Sequence, residues 1–215
     1  MTARTARAGT LALAGALALA PLARAAADDA GAQTWEFEVR LDGRPIGSHR
    51  FVVSGPPAAR EVESTARFEV RLLGIPVYRY RHQARERWRG DCLQALQSQT
   101  DDDGRPARVD LQREDAAART SDCLMSFAYW HPALSRQSRL LNPQTGRIEE
   151  VRFERLPDAT VQAGGQARDA ERWRLRTSSG TPPQDLTLWL DKRDGRWLAL
   201  DAQVAGGRQL SYRLP

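Results

Sequence analysis

The sequence predicts a mainly β fold: a curved antiparallel sheet of about ten strands, a half-barrel or incomplete barrel, with a short helix or plug segment on its concave face. Three observations predict it. Apolar residues recur at every second position through most of the chain, as in Trp35, Phe37, Val39 and Leu41 of "TWEFEVRL", which is the period of a half-buried strand. The connections are short and rich in Asp, Gly and Pro, which suits strands that reverse direction at tight turns. One run, "DAAARTSDCLMSFAYWHPAL", breaks the alternation in the middle of the chain.

The first segment stands apart from the fold. Arg4 and Arg7 precede an apolar run from Leu11 to Leu22, followed by Ala23-Arg24-Ala25. This is the order of an export signal, with cleavage expected after Ala25, or after Ala27. The run is shorter than the about 20 apolar residues a membrane span needs. Residues 1–25 are therefore read as a signal peptide and 26–215 as a single β-rich domain, soluble and not membrane-spanning, in the periplasm or secreted.

The charge balance changes once that segment is set aside. The formal charge of +5 falls to +2 without Arg4, Arg7 and Arg24, and Lys192 is the only lysine. Arg and Asp/Glu alternate along the rest of the chain, as in "ARERWRGD". Nucleic-acid binders gather base on one face or tail, so the pattern argues against a nucleic-acid partner and for a solvated mixed-charge surface.

The strands follow in order. "TWEFEVRL" turns at Asp42-Gly43 into "SHRFVVSG", the opening hairpin. "EVESTARFEVRLLG" and "IPVYRYRHQARERW" form the next pair; Tyr78, Tyr80, His82, Ala84, Glu86 and Trp88 share one side of the second. "CLQALQSQT" and "RPARVDLQ" flank "DDDG". That acidic cluster is turn chemistry rather than a calcium loop, because Asp101, Asp102 and Asp103 are contiguous and lack the alternate-position ligand spacing. Within the insert at 114–134, Leu124, Phe127 and Ala128 sit at helical spacing, so a short helix capped by Ser121 or Asp122 and ended by Pro132 is expected. "SRLLN", "GRIEEVRFERL", "AERWRLRTS", the hairpin "DLTLWLDKRDGRWLALDAQV" and "RQLSYRLP" complete the sheet, with "GPPAA" and "QAGGQA" as surface loops.

Chemistry-bearing residues are few. Cys92 and Cys123 are the only cysteines, and in an exported chain they are most simply one disulfide closing a loop of about 32 residues. Cys123 as a nucleophile with His82 or His131 as base is the weaker reading. His49, His82 and His131 lack metal-ligand spacing, so neither a metal nor another cofactor is expected, and His131 is read as a loop residue packed on aromatics. His82 and Glu86 lie about 13 Å apart along one strand, too far for a direct bond, yet they place polar groups among aromatics on an inward face. No catalytic residue is assigned. Tyr78, Tyr80, His82, Glu86, Trp88, Phe127, Tyr129 and Trp130 are the candidate ligand-binding residues.

The segments "WEFEVRLDGRPIGSHRF", "YRYRHQARERW", "CLMSFAYWHP", "LLNPQTG" and "GGRQLSYRL" together resemble an uncharacterised bacterial family of exported domains of unknown function, over nearly all of the chain after the signal. That resemblance implies no catalytic residue. The closing strands also resemble, in architecture, the periplasmic lipoprotein-carrier half-barrel superfamily; this likeness is one of fold. A wide apolar concavity must be filled by chain or by ligand. The leading functional expectation is thus an exported binder or carrier of an apolar or amphipathic, lipid-like ligand, in a cavity of roughly 300 Å³ or more. The alternatives are an envelope assembly or interaction protein with a filled core, and a hydrolytic or acid–base enzyme using His82.

Overall fold

A computed structural model describes residues 31–113, 123–178 and 183–215. The expected signal peptide, the caps Ser121 and Asp122, and the first part of the 114–134 insert lie outside the described residues.

The strands are β1 (Gln33–Leu41), β2 (Arg44–Ser54), β3 (Glu61–Leu72), β4 (Ile75–Arg89), β5 (Cys92–Asp102), β6 (Arg105–Gln112), β7 (Met125–Ser126), β8 (Arg139–Leu141), β9 (Ile148–Ala163), β10 (Gln166–Thr177), β11 (Asp185–Asp191), β12 (Trp197–Val204) and β13 (Arg208–Arg213). They form one open, curved sheet in the order β6-β5-β4-β3-β2-β1-β13-β12-β11-β10-β9-β8-β7. The chain winds outward from β1 to β6, crosses to the opposite edge, and winds back to β13. First and last strands therefore meet in the middle, through Val39↔Tyr212 and Leu41↔Leu210. Among the described residues every pairing is antiparallel except β7 with β8. Register shifts at Val39/Arg40, Val70/Arg71, Arg87/Trp88, Ala170/Arg172 and Trp189/Leu190 interrupt the ladders; each such bulge adds local twist and bends the sheet.

Turn residues do what their chemistry requires. Asp42 and Asp103 adopt φ of 49° and 52°, each followed by a glycine, and Asp101 Oδ1 accepts from the Gly104 N–H at 2.7 Å. Gly47 matters more. A Cβ there would lie 1.9 Å from the Arg67 carbonyl oxygen, so only glycine allows β2 to approach β3 at this point.

The concave face carries the core. Trp35, Phe37, Leu96, Met125, Leu140, Leu175, Leu188 and Trp197 are among its most deeply buried members. Trp35 Nε1 donates to the Trp197 carbonyl at 3.1 Å, and Trp197 Nε1 to that of Ala199 at 2.9 Å, so both indoles bury their ring area without leaving an N–H unpaired.

Two expectations are corrected. Among the described residues the sheet has thirteen strands rather than about ten. One strand not expected is Met125–Ser126 of the plug itself; "QAGGQA", expected as a surface loop, is the tight turn Gly164-Gly165 that lets β9 and β10 run longer than expected. The described part of the insert also holds no α-helix. Met125–Ser126 pairs in parallel with Leu140–Leu141, and only a 3₁₀ turn at Leu134–Arg136 follows. The physical reason is burial. Leu124 to Ala128 are five consecutive buried residues, whereas a surface helix would expose part of every turn. The segment instead enters the core as the short strand Met125–Ser126 and continues through tight turns at Ala128–His131. Its start is pinned by the Cys92–Cys123 disulfide, with Cα atoms 4.9 Å apart, and by the Leu93 N–H donating to the Leu124 carbonyl at 2.9 Å.

Candidate functional site

Between the plug and the concave sheet lies a cavity of about 310 Å³. Its floor is Phe51, Val62 and Ala84 from β2–β4 and Leu186, Trp197 and Leu200 from β11–β12; Phe127, Tyr129 and Trp130 of the plug cover it. Gln184, Gln203, Ala205 and Leu210 also line it, which places its mouth at the end of the sheet where β11 and β13 begin and β12 ends. The other end is shut by the disulfide, by Trp88 and by Trp130, whose rings meet edge to face at 5.5 Å.

Strand parity brings a band of polar groups into this cavity. On adjacent strands the pairs Phe37↔His49, His49↔Ala66, Ala66↔His82 and His82↔Thr100 stand in register, so both histidines point inward at the same level. His49 Nε2 lies 2.8 Å from Ser64 Oγ, its Nδ1 lies 3.4 Å from the Tyr212 hydroxyl, and its ring stacks on Phe51 at 4.1 Å. Burial, aided by His82, holds the His49 imidazolium down to about 3. His82 Nδ1 lies 2.9 Å from Thr100 Oγ1, and burial lowers its titration to about 4. Both rings are neutral at neutral pH.

Glu86 sits four residues further along β4 than His82, two pleat repeats deeper. Its carboxylate accepts from Trp88 Nε1 at 2.8 Å and from Ser126. Burial pushes the carboxyl up to about 7 against those two hydrogen bonds, which lower it. Burial also raises the hydroxyls of Tyr129 and Tyr212, so they stay protonated donors. At the far wall Asn142 Nδ2 donates to Glu149 Oε1 at 2.7 Å.

Of the eight residues singled out in the sequence, His82, Glu86, Phe127, Tyr129 and Trp130 line the cavity. Trp88 stands behind Glu86 as its donor. Tyr78 and Tyr80 lie elsewhere: Tyr80 stacks on Phe68 at 5.1 Å and Tyr78 donates to Asp102 at 2.7 Å, both nearer the hairpin tips. His49, Ser64, Asn142 and Tyr212 line the cavity without having been singled out for it. Their signal was the alternation itself, since His49 shares parity with Phe51 and Ser64 with Val62. His131 is buried, accepts from the Ala133 N–H at 3.1 Å and stacks on Trp88 at 5.8 Å, which is the packing role read from its neighbours.

The chemistry available is limited by these pairings. His82 and Glu86 hydrogen-bond to Thr100 and to Trp88 rather than to each other. Cys123 is consumed in the disulfide and is no nucleophile. Ser64 beside His49 has the spacing of a nucleophile and a base, but a base titrating at about 3 takes up a proton poorly near pH 7. Among the described residues no three of His, Cys, Asp and Glu come together so as to hold a metal ion. No described helix is long and apolar enough to cross a membrane.

No curated protein and no solved structure is matched by the chain. A family profile described as a domain of unknown function, DUF6134, does match, over residues 37–215. That span takes in every described strand from the middle of β1 to β13, and the chain belongs to this family of domains of unknown function.

Proposed function

We propose that this is an exported protein that binds one small apolar or amphipathic molecule, of single-chain or single-ring-system size, in the cavity beneath the plug. The observation that supports it is the lining: aromatic and aliphatic side chains around a few convergent, uncharged polar groups, in a volume of about 310 Å³, at the small end of the range for ligand sites. Phe51, Phe127, Tyr129 and Trp197 would hold the apolar body. His49, Ser64, His82 and Tyr212 would orient a polar head by hydrogen bonds. Export to the periplasm is supported by the leader-like first 25 residues and by the disulfide, a bond characteristic of oxidising compartments. The acid–base reading of His82 has less behind it, because its ring nitrogen faces Thr100 and its titration lies far from neutrality.

Native mass spectrometry of protein isolated from the periplasm tests the reading. A fraction of the protein should carry a non-covalent adduct of low mass, released on denaturation. A fluorescent fatty-acid probe should bind the emptied protein in a 1:1 ratio, and Ala202→Phe, which projects a ring into the cavity, should abolish uptake while leaving the melting curve cooperative. Neither adduct nor probe uptake, or uptake unchanged by Ala202→Phe, would overturn it.

A further inference from the structure

The hairpin that joins β3 to β4 runs past both of its neighbours. β2 pairs with β3 only between Gly47↔Phe68 and Ser54↔Glu61, and β5 pairs with β4 only from Tyr80↔Asp102 onward. Beyond Arg79, whose carbonyl still accepts from the Asp103 N–H at 2.8 Å, residues 70–78 form a two-stranded finger, paired with itself through Val70↔Tyr78 and Leu72↔Ile75. Tyr78 donating to Asp102 at 2.7 Å braces its base. Four residues beyond Phe68, at a strand rise of about 3.3 Å each, carry the tip roughly 13 Å past the last β2–β3 pair, while β2 turns from β3 to finish against β1 through Pro45 and Arg44.

The tip is apolar. Of the five large hydrophobic residues left exposed among the described residues, four are here: Leu72, Leu73, Ile75 and Val77, with Leu73 94% exposed. The turn chemistry is also unusual. Leu73 has a φ of 51°, a region that Asp42 and Asp103 occupy at the corresponding points of two other hairpins. Asp and Asn tolerate that conformation and leucine does so poorly. Leucine at this point works against the turn and contributes nothing to the core. On the outward face behind it stand Arg67, Arg71, Arg79 and Arg81 against Glu69, with Asp101 beside Arg81. Arg71 and Arg79 share Glu69 as ion-pair partner, and Arg71 Nη1 also donates to the Gly74 carbonyl at 3.2 Å, so a band of arginines stands behind the apolar tip.

We propose that the β3–β4 finger is a membrane-docking element: Leu72, Leu73 and Ile75 enter the interfacial layer of an anionic bilayer and the arginines meet lipid phosphates. A bilayer suits the shape better than a protein partner. A convex tip of four side chains falls far short of the roughly 20–30 residues a side of a specific protein interface, whereas apolar area next to basic residues is what interfacial membrane binding uses. The finger projects from the same end of the sheet as the cavity mouth, so docking would lay that mouth on the lipid. The docking does not require that the cavity hold a ligand.

The test is co-sedimentation of the full exported chain with vesicles of phosphatidylglycerol and phosphatidylcholine, and with phosphatidylcholine alone. The wild type should pellet with the anionic vesicles and less with the neutral ones. Leu73→Asp should weaken anionic binding by about tenfold or more, since a leucine's burial is replaced by a charge, while its melting temperature holds or rises because Asp suits the turn. Arg67→Gln with Arg81→Gln should weaken anionic binding and leave neutral binding unchanged. A wild type that stays in the supernatant, or a Leu73→Asp variant that pellets like the wild type, would overturn the proposal. So would a wild-type dimer that Leu73→Asp dissolves without any vesicle binding, which would make the finger a contact between copies. Native mass spectrometry of Leu73→Asp reads the cavity separately, because a retained adduct there keeps the binding reading intact whatever the vesicles show.

Discussion

Replacing Glu86 by Gln should stabilise the protein at alkaline pH and leave it unchanged at acid pH. Glu86 is 8% exposed, and burial displaces its carboxyl from an ordinary 4.5 to about 7. Between those two values the folded protein holds a proton that the unfolded chain has released. Stability therefore falls as pH rises from about 4.5 to about 7 and remains at the lower level above. At 1.36 kcal/mol per pH unit, the displacement corresponds to roughly 3 kcal/mol. Glutamine keeps an oxygen that can accept from Trp88 and Ser126, so the two hydrogen bonds that hold Glu86 need not be lost. For a domain of this size roughly 3 kcal/mol corresponds to about 6–12 °C in melting temperature. Calorimetry of both proteins from pH 4 to pH 8.5 is the assay. His49 and His82 titrate in both proteins, so they cancel in the difference. A gap between the two curves that opens as pH passes from 5 to 7 is expected. A gap independent of pH, or a variant less stable than the wild type at pH 8, would refute the argument that burial desolvates the Glu86 carboxyl.

Three further outcomes are expected. Phe127→Ala removes a buried ring that contacts Tyr129 at 6.2 Å between centroids and should cost about 3–5 kcal/mol in urea unfolding; a loss below about 1 kcal/mol would make the plug a lid rather than core. Gly47→Ala would place a Cβ 1.9 Å from the Arg67 carbonyl oxygen, and the strand would have to move, so a loss of at least about 1–3 kcal/mol is expected in the same assay. Changing both Cys92 and Cys123 to Ser removes a cross-link between residues 31 positions apart and should cost roughly 3–4 kcal/mol, while thiol labelling of the unfolded, unreduced wild type should find no free cysteine.

Much of the site was legible along the chain because a strand's side chains alternate strictly. Once Phe37, Phe51 and Trp88 are taken as core, His49, His82 and Glu86 must face inward with them, and the structure buries or half-buries all three. The turns at Asp42-Gly43 and Asp101–Gly104 and the pairing of two cysteines followed from local chemistry in the same way. Parity, however, names a face and not a neighbour. Tyr78 and Tyr80 share a face with His82, yet Tyr80 stacks on Phe68, Tyr78 donates to Asp102, and neither lines the cavity. Helical spacing in Leu124, Phe127 and Ala128 meant little once the segment was enclosed on every side, since a fully buried strand needs no amphipathic period. Nor does the alternation of β3 and β4 show that their last residues outrun their partners. How far Leu72 and Leu73 project was decided only by where β2 and β5 stop pairing, because the reach of a hairpin depends on the register of strands that lie elsewhere in the chain.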